Sequence, residues 1–198
     1  MSWLRFLDSG IHRVLLVANG VGANRAAAAV DAAVPAIKPD AIVTTGFCGA
    51  LDESLAIGDI VIGTRIGDYE CALPSASLPH QRGPIASIDR VAQTADEKRR
   101  LRSSGSIAVE MEAAGVARRA AALGLPLYCI KAVTDLATEN MANDFNAALR
   151  SGGQFDTIVL FQGALRRPTK RIPELIRLRN RCVRAARALG EFFADCRF

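Results

Sequence analysis

Two apolar runs that stop abruptly at carboxylates constrain this chain more than any other feature. Ile107-Ala-Val-Glu-Met-Glu-Ala-Ala-Gly115 and Leu127-Tyr-Cys-Ile-Lys-Ala-Val-Thr-Asp135 each read as a buried strand that delivers acids at its end. In an open parallel α/β sheet, ligands sit in the crevice outside the carboxyl ends of the strands. Glu110, Glu112 and Asp135 would then meet at one rim and form an acidic pocket. That chemistry points to hydroxyl recognition and proton donation rather than to metal or nucleotide-phosphate binding.

The remaining pattern agrees with such a sheet. Arg13–Ala18, Ala41–Thr45, Asp59–Thr64, Pro84–Ile88, Ile107–Val109 and Leu127–Val133 read as strands. Ala23–Val34, Ala95–Ser103, Met111–Leu123 and Asp144–Leu149 read as helices, with Thr94 or Asp96 as a cap and Gly124 as a stop. Gly46-Phe-Cys-Gly49 reads as a tight turn and residues 67–84 as a long loop. A last amphipathic helix is expected from Pro173 onward. Strands alternating with helices predict an α/β fold, one three-layer domain with a mostly parallel central sheet flanked by helices. Residues 1–165 would form the α/β domain, and 166–198 a basic amphipathic helix packed on it.

Each motif also has a bland reading. Gly20-Val-Gly22 follows a strand and precedes a helix, but Arg25 stands where a dinucleotide fingerprint needs its third glycine. A tight turn, or an anion site at a helix start, remains. Acids at Glu110 and Glu112 suit the helix macrodipole, yet that does not explain two of them interrupting an apolar stretch. A carboxylate accepting two hydrogen bonds suits a vicinal diol such as that of ribose. Asp135 would cap the following turn or, in a semi-buried position that raises its pKa, donate a proton to a leaving group.

Composition narrows the classes further. The 198 residues are 50% hydrophobic, enough for one substantial core. No apolar run approaches the ~18 residues of a membrane span. The start is broken by Arg5 and Asp8, unlike a secretory leader, so a cytoplasmic protein is expected. The five cysteines show no close pairing or zinc spacing, and Cys48 and Cys129 read as buried, inert thiols. The net charge of +5 is concentrated between Arg166 and Arg187, which hold nine basic residues and one acid, Glu174. A solvated helix face explains such a run, and so does attraction to an anionic membrane surface. No aromatics interleave with the arginines, which argues against nucleic acid.

Val109-Glu-Met-Glu-Ala113 followed by Lys131-Ala-Val-Thr-Asp135 resembles the paired signature of the nucleoside phosphorylase and nucleosidase superfamily. Asn19-Gly-Val-Gly22, Thr44-Thr-Gly-Phe-Cys-Gly-Ala-Leu51 and Leu55-Ala-Ile-Gly-Asp-Ile-Val61 are similar to further family motifs in the same order. Ser87–Thr94, the Ala95–Leu101 helix and Asp144-Phe-Asn146 look most like the hopanoid-associated branch, whose members act on adenosylhopane.

The resemblance implies cleavage of the N-ribosyl bond of an adenosine-like purine nucleoside, by phosphorolysis or hydrolysis. It implies no metal and no cofactor, with inorganic phosphate as the optional co-substrate. Asp135 would protonate the purine N7, Glu112 would bind the ribose hydroxyls beside Glu110, and Met111 would pack on the sugar. Thr45, Gly46 and Phe47 would line the nucleophile side. A homo-oligomer, with a dimer favoured, and peripheral membrane contact through the basic helix complete the expectation.

The chain departs from the family pattern in three places. The family's first strand is expected to be absent, Phe47 replaces a common serine, and Thr44 stands where some phosphorylases carry arginine. A catalytically silent nucleoside-binding relative or subunit is the alternative.

Overall fold

The central sheet closes on itself. The computed structural model describes residues 3–8 and 12–198. Within it β3 (Ile42–Ala50), β4 (Ile60–Ile66), β6 (Gln81–Ser87), β7 (Ala108–Glu110) and β8 (Leu127–Asp135) form a ring. The order is β4–β6–β7–β3–β8, and β8 returns to β4, with the short β5 (Tyr69–Glu70) attached to β4. The β3–β8, β4–β6 and β6–β7 pairs are parallel, whereas β3–β7 and β4–β8 are antiparallel. The open rim expected from sequence is therefore one end of a ring. Gly63 helps the closure: a Cβ there would lie 2.9 Å from the Cys129 Cβ, so only glycine lets β4 approach β8 so closely.

Both faces of β4 and β8 are covered along most of their length, which is why their sequences are apolar without alternation. Val61, Ile62, Ile130, Ala132 and Val133 are fully buried. One side packs against α1 (Ala23–Ile37) and α3 (Ala113–Leu123), through Val30, Val116, Ala117 and Ala120. Gly115 sits at the crossing of those two helices, where a Cβ would stand 1.8 Å from the Ala23 carbonyl oxygen. The other side packs against α6 (Pro168–Asp195), whose Ala185, Leu189 and Phe192 cover Ile60, Ile62, Ile130 and Ala132.

Several local expectations shift. Thr94 caps α2 (Ala95–Arg102) by accepting from the Glu97 N–H, and Gly124 ends α3 in the left-handed region. Residues Gly46–Gly49 are strand rather than turn, because the β3 ladder runs on past Gly46 to a register shift between Cys48 and Gly49. The final helix begins at Pro168 rather than Pro173. Sequence reading also missed α5 (Thr157–Arg166), although Asp156 caps it and Ile158, Phe161 and Leu165 carry helical spacing. The short α4 (Phe145–Ala148) is capped by Asp144.

The strand Arg13–Ala18, β2, lies outside the ring. It pairs antiparallel with β1 (Trp3–Asp8), from Trp3↔Ala18 to Asp8↔Arg13, as a separate two-stranded ribbon. Sequence reading did not assign β1, since its apolar residues fall on both faces and give no two-residue period. Phe6 and Leu7 remain exposed on it.

Candidate functional site

The ring brings the two carboxylate segments to one end of β3. Gly49 is the register partner of both Val109 on β7 and Asp135 on β8. Two strand spacings of ~4.8 Å therefore separate the two segments, about 10 Å in all. Gly49 is required there, since a Cβ would fall 2.7 Å from Asp135 Oδ2. Thr134 Oγ1 donates to Asp135 Oδ1 at 3.1 Å, and Lys98 Nζ donates to Oδ2 at 2.5 Å. The Asp135 side chain is 14% exposed and that of Lys98 is fully buried.

Glu112 stands at the N-cap of α3. Its Oε1 accepts from the Gly22 N–H at 3.0 Å and its Oε2 from the Met111 N–H at 3.4 Å. The Gly20–Gly22 turn, with both glycines at positive φ, thus presents its amide to this carboxylate. Burial pushes the Glu112 pKa up; Lys131 opposes the shift and Glu110 adds to it. Met111 beside it is buried.

Glu110 has other partners than the pocket expected from sequence. It is 5% exposed and ion-pairs with Lys131 at 2.9 Å. It also accepts from the Glu112 and Ala113 N–H groups at the start of α3. Burial would raise its pKa, but Lys131, Ser87 and the Glu112 amide outweigh burial and hold it below the usual range. Its carboxylate ties strand, helix and Lys131 together.

On β3, Thr45 pairs with Ile130 and Phe47 with Ala132, whereas Gly46 pairs with Lys131. Val43, Thr45 and Phe47 form the exposed face of the strand, and Thr44 and Cys48 the buried one. The structure thus gathers Asp135, Glu112 and Met111 at the Gly49 end and places Thr45 and Phe47 on the outer face. Cys48 and Cys129 are buried, and burial pushes both thiols up, Cys129 to about 12.

Lys98 escaped sequence reading. The turn after β8 is held from two sides: Lys98 Nζ donates to the Leu136 carbonyl at 2.6 Å, and Glu139 accepts from the Leu136 N–H at 3.0 Å. Arg181 of α6 grips Glu139 with two hydrogen bonds of 2.7 and 2.8 Å. Glu174, also on α6, accepts from the Ala142 and Asn143 amides. A separate open groove of about 550 Å³ runs along α6, lined by Ile57, Ile176, Arg177, Arg181 and neighbours, and does not include Asp135 or Glu112.

A mixed sheet flanked by helices is also the architecture of solved nucleosidases. The 5'-methylthioadenosine/S-adenosylhomocysteine nucleosidase of S. pneumoniae superposes with a TM-score of 0.61 at 26% identity, over 68% of this chain and 73% of that one. The futalosine hydrolase of Helicobacter pylori shares the fold, with a TM-score of 0.61 at 18% identity over 82% of this chain and 85% of that one. In sequence, the 5'-methylthioadenosine/S-adenosylhomocysteine nucleosidase of Haemophilus ducreyi is 29% identical over 63% of this chain and 68% of its own length. That of Staphylococcus aureus is 27% identical over 69% of this chain and 74% of its own length. The family model described as the phosphorylase superfamily matches residues 8–76 and 70–155. The chain belongs to this superfamily, a group of hydrolases and phosphorylases that cleave N-glycosyl bonds.

Proposed function

We propose that this protein hydrolyses the N-ribosyl bond of an adenosine-like nucleoside. The observation that carries the reading is the row Val109–Gly49–Asp135 across three strands, which sets the Glu112 turn and the Asp135 carboxyl at one end of the ring. Glu112 accepts hydrogen bonds from the ribose diol, and Met111 packs on the sugar. Asp135 gives its proton to the purine N7. The N9–C1′ bond then breaks with its electron pair on the base, and a water oxygen adds to the ribosyl cation at C1′ and releases a proton to solvent. Fixed carboxylates near that cation stabilise it electrostatically. Thr45, Gly46 and Phe47 border the nucleophile side in this reading. Relatives named as nucleosidases support water over phosphate as the nucleophile.

Chromatography of free base from adenosine, methylthioadenosine, inosine and a lipid-linked adenosine, with and without phosphate, tests the reaction. Release of adenine independent of phosphate is expected. Release only with phosphate makes the protein a phosphorylase, and preference for the lipid-linked substrate favours the hopanoid branch. Asp135→Asn should lower adenine release by about 10²-fold or more with the fold intact; full activity in that variant sinks the mechanism. The exposed Phe47, in place of a serine common in the family, favours a second reading, a silent nucleoside-binding relative. Nucleoside binding without turnover would establish it.

The protein works as a homodimer in this reading. Ile158, Phe161, Leu165 and Ile176 are each more than half exposed on α5 and the start of α6, and exposed apolar patches mark interaction surfaces. Sedimentation should give a dimer that Phe161→Asp dissociates. A monomer that binds anionic vesicles would instead assign this face, with its arginines, to a membrane.

A further inference from the structure

We propose that Lys98 is a positioning residue for Asp135, an inference that rests on the nucleosidase reading above. The helix that carries it, Ala-Asp-Glu-Lys-Arg-Arg-Leu-Arg, is charged along its length, and lysines on such helices are normally solvated. Lys98 is instead fully buried. Removing an ammonium from water costs several kcal/mol unless its partners compensate. Its partners are Asp135 Oδ2 at 2.5 Å and the Leu136 carbonyl at 2.6 Å, so both lie at the end of β8 where the acid projects.

The Asp135 carboxyl is thereby fixed from two directions. Lys98 holds Oδ2, Thr134 Oγ1 donates to Oδ1 at 3.1 Å, and the missing Cβ of Gly49 leaves room for the group. With Oδ2 accepting from Lys98, the proton that passes to the purine N7 is carried on Oδ1, which accepts from Thr134 through a lone pair. Lys98 also faces the charge that develops in the reaction. As the proton moves from Asp135 to N7 and the N9–C1′ electron pair leaves with the base, a carboxylate forms beside an ammonium already in place. Charge stabilisation of that kind needs no reorganisation at the moment of reaction.

The experiment compares wild type with Lys98→Met, Lys98→Arg, Asp135→Asn and the Lys98→Met/Asp135→Asn double variant on two substrates. One is the best purine nucleoside. The other is 4-nitrophenyl riboside, whose leaving group departs without a proton. Lys98→Met is expected to lower kcat on the purine nucleoside by about 10²-fold, with KM within about threefold and nitrophenol release nearly unchanged. Lys98→Arg should recover part of the loss. The double variant should be no slower than Asp135→Asn alone, because Lys98 acts through Asp135.

Equal loss on both substrates, or a double variant slower by the product of the singles, assigns Lys98 to folding and overturns the proposal. So does a purine kcat within threefold of wild type. If wild type releases neither base nor nitrophenol, the nucleosidase reading itself fails, and the role of Lys98 falls with it.

Discussion

Glu112 carries a charge that its surroundings resist. Burial raises its pKa above the ordinary 4.5, with Glu110 adding to the shift and Lys131 opposing it. Only the ionised form accepts both hydroxyls of a diol, so kcat/KM for a nucleoside should fall as pH drops through this raised value. Folding has the opposite sign. The folded state binds the proton more tightly than the unfolded chain, so Glu112 lowers stability as pH rises between its unfolded and folded values. Glu112→Gln should therefore lose about 1.5–3 kcal/mol of transition-state binding, roughly tenfold to a hundredfold. It should also lose the acid limb of the pH profile and gain stability at neutral pH. An unchanged acid limb in that variant would assign the limb to another group.

At this scale Glu112 and Asp135 were legible because each interrupts an apolar run. Lys98 was not, since nothing in a helix of two acids followed by four bases distinguishes the one basic side chain that turns inward.

Between elements, the tie that matters most is the Glu110–Lys131 pair. Both partners are buried, and Lys131 is raised above the usual lysine range because the Glu110 carboxylate outweighs burial. The carboxylate is held low, so its stabilisation is complete above its unfolded pKa and disappears as pH falls through the folded one. Glu110→Gln leaves an ammonium buried without its counter-charge and should cost about 3–5 kcal/mol. Adding Lys131→Met should recover much of that loss. Urea midpoints at constant slope measure both; additive losses would show that the two groups stabilise the fold separately.

Glu110 was legible as an acid in an apolar strand, but its partner was not. Lys131 pairs with Gly46 across β3 and reaches β7 only because the sheet curls. Periodicity located most strands and helices, but it reports nothing about how a sheet closes. It also misplaced the Gly46–Gly49 segment, where glycines signalled a turn and cross-strand pairing continued the strand.

Over the whole molecule, stability should divide between the ring and the ribbon. Strands β3, β4, β6, β7 and β8 have partners on both sides, while among the described residues β1 and β2 pair only with each other. Hydrogen exchange should show the amides of Ile130, Ala132 and Ile62 opening only with global unfolding, and those of Val14 and Leu16 opening locally and sooner. Equal protection in the two sets would mean that the ribbon and ring unfold as one unit.

A ring of strands also obeys a sum rule: register offsets counted once around it must cancel. An open sheet absorbs an inserted residue by sliding its edge strand, but a closed one has no edge to slide. The slack lies at two irregularities, Cys48/Gly49 in β3 against β8 and Gly63/Ile66 in β4 against β6. The first adjoins Asp135. A length change in any ring strand would therefore be felt at the acid, whichever strand it entered, and changes of substrate preference are left to the loops between strands.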